Sequence, residues 1–223
     1  MLTVIFDLDG TLVDSSVDLM IAGNTTFEQL GWKARLSNDF SDGVVIGGGR
    51  SMIRYGFSLE GIDFTEVDVE RIYPILISNY DQTIDKNTVP YEGVLETLKS
   101  LKMLGWNVGI CTNKPALQAD VLLSKLGLRS FFNSLVGAGT VEVTKPNPKP
   151  LITAIELMGG SIDKAILIGD TKTDRDTALS AGVKCLLVKY GHGAMVYDLE
   201  PLKPDAIVDS AKEIPHCIEK LFR

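Results

Sequence analysis

The chain has 223 residues, enough for one large α/β domain or for a core domain with a smaller insertion. Its 45% hydrophobic and 23% charged content is that of an ordinary globular protein, and no apolar run approaches the ~20 residues that cross a bilayer. A net charge of −7 argues against nucleic acid as a partner, because nucleic-acid phosphates attract clustered lysine and arginine. Without a C-x-x-C pair or a signal-peptide pattern, we expect a cytoplasmic protein that meets no membrane.

Short runs rich in valine, isoleucine and leucine predict buried parallel strands at residues 2–6, 107–111, 134–137, 165–168 and 184–188. The segments between and after them have helical spacing or helix boundary signals, at residues 93–104, 114–126, 148–158, 174–181 and 211–221. A last strand is expected at 205–208. This alternation predicts an α/β fold, namely a doubly wound, Rossmann-like parallel sheet with right-handed crossovers.

An interval of about 75 residues follows the first strand, far longer than a crossover connection needs. Helical patterns predict three helices within it, at 17–30, 50–59 and 65–80. Thr65 followed by Asp68 resembles a helix start. We therefore expect a small helical insertion at 14–89, between two pieces of one core domain at 1–13 and 90–223.

Polar residues that follow the predicted strands are expected to meet at one edge of the sheet, because ligands bind outside the carboxyl ends of parallel strands. Three of them are carboxylates, Asp7, Asp9 and Asp170, which would repel one another unless a hard cation were present. Oxygen-only ligation suits Mg²⁺. A carboxylate can also attack phosphorus covalently, and Lys145 supplies positive charge for phosphoryl oxygens.

Together these residues resemble the motifs of the haloacid dehalogenase-like hydrolases, in their phosphatase branch. The motifs, in order, are Asp7-x-Asp9-x-Thr11, Thr112-Asn113, Lys145-Pro146 and Gly169-Asp170-x-x-x-Asp174. The resemblance covers essentially the whole chain. It implies a Mg²⁺-dependent phosphatase in which the helical insertion is a cap domain on the catalytic core.

The resemblance also implies a role for each matching residue. Asp7 would be the nucleophile and a metal ligand, and Asp9 would be the general acid and base, with its backbone carbonyl on the metal. Thr11 would orient Asp9. The other matching residues are expected to bind phosphate (Thr112, Asn113, Lys145), to bind the metal (Asp170) or to support the site (Asp174). For Asp174, an acid in the first turn of a helix is the alternative.

Over residues 1–195 the pattern is most similar to phosphoglycolate phosphatases, which implies 2-phosphoglycolate, a small phosphorylated metabolite, as the substrate. Members of that group often carry Gly-Asn-Gly where this chain has three glycines at 47–49. Gly48, Gly49 and Arg50 are candidates for recognising a small carboxylate, because glycine lets backbone N–H groups approach an anion. The alternative is a flexible turn before a helix.

Other activities share this fold and stay open, namely those of a pyrophosphatase, a nucleotidase, a sugar phosphatase or a phosphomutase. A hypothesis from another class is a regulatory protein that binds phosphate without turnover. Asp7, Asp9 and Lys145 are all present, which favours an enzyme.

Overall fold

The computed structural model describes residues 1–223, apart from the side chain of Ser41. The chain divides into two compact units. The first consists of Met1–Asp14 and Pro90–Arg223, and the second of Ser15–Val89. The division lies one residue after the predicted boundary at 13/14 and coincides with the predicted one at 89/90. Two short strands, β2 (Val13–Asp14) and β3 (Val89–Pro90), form a separate two-stranded sheet.

The described residues of the first unit form a six-stranded sheet in the order β5-β4-β1-β6-β7-β8, and every neighbouring pair is parallel. The strands are β1 (Thr3–Phe6), β4 (Asn107–Pro115), β5 (Ser134–Ala138), β6 (Ala165–Gly169), β7 (Lys184–Val188) and β8 (Ala206–Val208). The strand order reverses at β1, which lies between β4 and β6. In open α/β sheets such a switch point opens a crevice for ligands. The predicted Rossmann-like fold is confirmed.

The helices of this unit are α4 (Val94–Met103), α5 (Ala116–Lys125), α6 (Lys149–Glu156), α7 (Lys172–Ala181), α8 (Gly193–Val196) and α9 (Ile214–Leu221). Strands and helices share an apolar core in which Ile5, Leu167 and Leu151 are fully buried. One prediction was wrong. Residue 114 was expected to begin a helix, but β4 continues through it and α5 begins only after Pro115.

The second unit contains three helices, α1 (Ser16–Gln29), α2 (Gly48–Glu60) and α3 (Glu66–Thr83), close to the predicted ranges. They bury a common apolar cluster that includes Phe27, Met52 and Leu76. The Thr65 backbone N–H and hydroxyl donate to Asp68 Oδ2 at 2.9 and 2.7 Å, which forms the capping box at the start of α3. The predicted helix start is confirmed. None of the helices in the described part of the chain is long and apolar enough to span a membrane.

A buried carboxylate joins the two ends of the second unit. Asp18, fully buried in α1, accepts hydrogen bonds from the backbone N–H groups of Asn87 and Thr88 and from both of their side chains, at 2.7 to 3.1 Å. Asp18→Ala leaves these buried donors without their acceptor. We expect it to lower the free energy of unfolding by about 2–4 kcal/mol.

Urea denaturation followed by circular dichroism measures this loss. Glu28→Ala, an exposed acid in the same helix, is the matched control and should change stability by less than about 0.5 kcal/mol. Equal stability of the two variants would contradict the structural role of Asp18.

Candidate active site

The predicted site residues lie where the strand order reverses. Parallel register pairs Phe6 of β1 with Ile110 of β4 on one side and with Ile168 of β6 on the other. Asp7 and Asp170 directly follow their strands, so both carboxylates emerge at the same edge of the sheet. The predicted meeting of these residues at one carboxyl edge therefore has a simple cause in the register of three neighbouring strands.

Three carboxylates and one ammonium form the centre of the site. Oxygens of Asp7, Asp170 and Asp174 all lie within 4.8 Å of one another. Lys145, whose side chain is 2% exposed, places Nζ 3.0 Å from Asp7 Oδ2 and 2.6 Å from Asp174 Oδ1. Asp7 is fixed further by the Leu8 backbone N–H, which donates to its Oδ1 at 2.7 Å. One carboxylate oxygen of Asp7 therefore contacts backbone and the other contacts an ammonium.

Burial and mutual repulsion perturb these groups. Burial raises the pKa of Asp7 to about 6, against the opposing effect of Lys145 and with a further rise from Asp174. Burial also raises the pKa of Asp170 well above its usual value, and the charges of Asp174 and Asp7 add to this. Burial alone would lower the pKa of Lys145, but Asp174 and Asp7 outweigh it and raise that pKa. The lysine is thus held as an ammonium among carboxylates.

Asp174 makes contacts both at the start of its own helix and in the site. It lies in the first turn of α7, where its Oδ2 accepts hydrogen bonds from the Thr171 backbone N–H at 3.2 Å and hydroxyl at 2.8 Å. Its Oδ1 accepts a hydrogen bond from the Lys145 ammonium at 2.6 Å. Gly169 leaves the necessary room, because a Cβ there would clash with the Asp174 side chain. A residue that starts the helix therefore also orients the site lysine.

The Asp170 carboxylate is held by two hydrogen bonds and packs closely against two glycines. The Gly193 backbone N–H donates to its Oδ2 at 2.9 Å, and the Thr11 hydroxyl donates to its Oδ1 at 3.2 Å. A Cβ at Gly10, where φ is +81°, or at Gly193 would clash with Asp170. Thr11 was predicted to orient Asp9, whereas this hydrogen bond fixes Asp170. Sequence analysis missed Gly193, the first residue of α8, which follows β7 in the chain.

Asp9 is paired with a lysine that the sequence analysis did not select. Lys114 Nζ lies 3.0 and 3.1 Å from the two carboxylate oxygens of Asp9. The Lys114 side chain is only 3% exposed, and that of Asp9 is 29% exposed. The sequence did offer a signal for this ion pair, namely a lysine two residues after Thr112, but residue 114 was predicted to begin a helix.

The predicted phosphate-binding residues lie together. Asn113 Nδ2 donates to the backbone carbonyl of Lys145 at 3.0 Å, and the Lys145 N–H donates to Asn113 Oδ1 at 2.9 Å. Thr112, which is buried, accepts a hydrogen bond on its hydroxyl oxygen from the Lys114 N–H at 3.2 Å. Asn113 thus joins the end of β4 to the Lys145 segment, and the Thr112 hydroxyl proton is available for an anion.

The cap candidates make contacts within the helical unit. Gly48, with φ of +79°, begins α2, and a Cβ on Gly49 would press on Tyr73. The guanidinium of Arg50 lies 3.7 Å from the centre of the Tyr73 ring and donates two hydrogen bonds to Glu70, at 2.6 and 2.9 Å. A role of these three residues in specificity stays a prediction.

The donor set fits a divalent cation. Asp7, Asp170 and Asp174 carry −3 when ionised and Lys145 carries +1, which leaves −2 in a largely buried cluster. All of the available ligand atoms in this cluster are carboxylate oxygens, the donors that hard cations prefer. Burial is the main cause of the raised pKa values of Asp7 and Asp170, and the charges of the neighbouring carboxylates raise both further.

Comparison with known proteins agrees with these observations. The family model for haloacid dehalogenase-like hydrolases matches residues 4–188. Phosphoglycolate phosphatases from Agrobacterium fabrum and Caulobacter vibrioides are 34% and 31% identical, over 97% and 98% of this chain and 92% of each relative. The crystal structure of a predicted phosphoglycolate phosphatase from Haemophilus somnus has the same fold, with a TM-score of 0.85, 24% identity and coverage of 96% of both chains. The chain belongs to the haloacid dehalogenase-like hydrolases.

Proposed function

We propose that this protein is a Mg²⁺-dependent phosphatase that hydrolyses 2-phosphoglycolate through a phosphoaspartate on Asp7. The observation that carries the proposal is the Asp7 carboxylate itself. It lies 3.0 Å from the Lys145 ammonium, beside Asp170, and two residues before a second carboxylate, Asp9. Family membership and the similarity to phosphoglycolate phosphatases support a hydrolase of phosphoric monoesters.

In the first step Asp7 attacks phosphorus. A new bond forms between an Asp7 carboxylate oxygen and phosphorus while the bond from phosphorus to the ester oxygen breaks. Asp9 gives its proton to the leaving ester oxygen, so that this oxygen departs as a hydroxyl and not as an alkoxide. Lys145 offsets the negative charge on the phosphoryl oxygens, and Thr112 and Asn113 are the proposed hydrogen-bond donors to them.

In the second step water attacks the phosphorus of the phosphoaspartate. Asp9, now ionised, takes a proton from that water, and the bond between Asp7 and phosphorus breaks to release inorganic phosphate. Asp7 returns to a carboxylate. One residue thus serves as acid and then as base, which requires that its side chain stay in place through both steps.

The Asp7 and Asp170 carboxylates and the Asp9 backbone carbonyl are the proposed holders of Mg²⁺. When bound, the ion supplies positive charge that offsets the carboxylates and draws electron density from the phosphoryl group. Asp174 supports the site by holding Lys145 and by stabilising the start of α7. We further propose that residues 15–89 form the cap, which closes to exclude water during the reaction.

Phosphate release from a substrate panel tests the proposal. We expect 2-phosphoglycolate to give the highest kcat/KM among phosphoglycolate, pyrophosphate, a nucleoside monophosphate and sugar phosphates, because relatives that are 34% and 31% identical to this chain are phosphoglycolate phosphatases. EDTA should abolish release and added Mg²⁺ should restore it, since without the cation the carboxylate cluster repels a phosphate dianion.

Each failure has a distinct meaning. A higher kcat/KM for another ester would replace the substrate and keep the mechanism. Full activity after EDTA treatment would contradict the metal requirement. Absence of phosphate release from every compound would contradict the phosphatase proposal itself and favour a regulatory protein that binds phosphate.

A further inference from the structure

Lys114 is a second buried ammonium at the site, and the proposed mechanism gives it no role. It contacts a different carboxylate from the one that Lys145 serves. Lys145 bridges Asp7 and Asp174, whereas Lys114 Nζ lies almost equally far from both oxygens of Asp9, at 3.0 and 3.1 Å. The nucleophile and the acid–base residue thus each have a lysine of their own.

The backbone on both sides of this ion pair is fixed. After Asp9, the Gly10 N–H donates to the Val13 carbonyl, and the Leu12 N–H donates to the Leu8 carbonyl, both at 2.9 Å. Lys114 extends from the last residues of β4, and its backbone N–H donates to the Thr112 hydroxyl oxygen at 3.2 Å. With both main chains held, the Lys114 ammonium restrains the side-chain torsions of Asp9.

We propose that Lys114 is the positioning residue that holds the Asp9 carboxylate in place for its two proton transfers. This inference rests on the proposed function. Because 29% of the Asp9 side chain is exposed, the carboxylate can rotate toward water once the ammonium is removed. An ammonium that is 3% exposed restrains Asp9 strongly, because separating the two would remove a close counter-charge from a buried group.

The test compares wild type with Lys114→Met, which keeps the length of the side chain and removes its charge. For 2-phosphoglycolate we expect kcat/KM to fall about 10- to 100-fold, because a displacement of about 1 Å at a reacting group costs rates of this order. For p-nitrophenyl phosphate we expect a loss of less than about threefold, since its phenolate leaves with little help from an acid. A purely structural defect would lower both values alike.

Inhibition by inorganic phosphate separates positioning from direct substrate binding. If Lys114 acts through Asp9, the inhibition constant should change by less than about twofold in Lys114→Met. An inhibition constant weakened by about tenfold would show that Lys114 binds the phosphoryl group itself, and would overturn the proposal. Lys114→Gln provides a second uncharged variant in case the Met variant does not fold.

The control is Lys102→Met. Lys102 is exposed in α4, before β4 begins, and so lies at the opposite edge of the sheet from the site. It should match wild type on both substrates. Wild-type rates for both substrates in a folded Lys114→Met or Lys114→Gln protein would overturn the role of Lys114 and leave the phosphatase proposal standing. An inactive wild-type enzyme would instead remove the proposed function, and this inference with it.

Discussion

Asp7→Asn is expected to lower kcat for phosphomonoester hydrolysis by at least ~10⁴-fold, the scale at which the loss of a covalent nucleophile acts. An amide has the size and shape of the carboxylate but does not attack phosphorus. The amide oxygen can still accept the hydrogen bond from the Leu8 N–H, which wild-type Asp7 Oδ1 receives at 2.7 Å. The geometry of the loop is therefore preserved while the chemistry is removed. Initial rates of phosphate release, measured on freshly purified protein, give the result.

The stability of the same variant shows whether its loss of activity comes from the missing nucleophile or from a folding defect. The folded-state pKa of Asp7 is raised from 3.8 to about 6, so the folded protein binds this proton more tightly than the unfolded chain. The contribution of Asp7 to the free energy of unfolding consequently falls as pH rises from about 4 to about 6, and it stays low above that range. Asparagine carries no charge and avoids this penalty.

We therefore expect metal-free Asp7→Asn to unfold at a temperature no lower than wild type at pH 7 to 8. Thermal unfolding in EDTA measures it. A variant that keeps more than about 1% of wild-type kcat would contradict Asp7 as the nucleophile. An inactive variant that also unfolds at a much lower temperature would show that Asp7 is needed for folding, so that its loss of activity could not be assigned to chemistry.

The sheet and the carboxylate cluster could be predicted from sequence because their signals are local. A strand buried on both faces must be apolar along its length, and β1, β6 and β7 each read as such a run. Ligands collect at the carboxyl edge of a parallel sheet, so the polar residues directly after β1 and β6 had to lie close together. Asp7 and Asp170 were found by this rule alone.

The part of the site that escaped prediction depends on contacts between distant residues. β4 continues past its apolar run through Thr112, Asn113 and Lys114, and its register with β5 shifts there. The charged side chain of Lys114 is buried in the folded protein. No local pattern distinguishes such a lysine from one that begins a helix. The Thr11 hydrogen bond to Asp170 spans 159 residues of sequence, and only the folded sheet brings its two ends together.

Lys145→Met is expected to lower both activity and stability. Wild-type Lys145 lies between Asp7 and Asp174 with its side chain 2% exposed, so the variant leaves a half-buried and a fully buried carboxylate without their ammonium. Removal of one partner from a buried ion pair costs about 3–5 kcal/mol of unfolding free energy. Loss of a charge that stabilises the transition state should lower kcat by about 10²- to 10³-fold. Urea denaturation in EDTA and initial rates in Mg²⁺ measure the two effects separately.

A second change separates the two roles of this lysine. Adding Asp174→Asn to Lys145→Met removes one carboxylate together with the ammonium, so the ionised cluster of Asp7, Asp170, Asp174 and Lys145 returns from −3 to −2. We expect the double variant to regain part of the lost unfolding free energy, because the neutral amide removes the most deeply buried of the unpaired charges. It should not regain activity, since no ammonium remains to meet the phosphoryl oxygens. Recovered turnover would show that Lys145 only balances the charge of the folded protein. It would contradict the proposal that Lys145 stabilises the phosphoryl oxygens during the reaction.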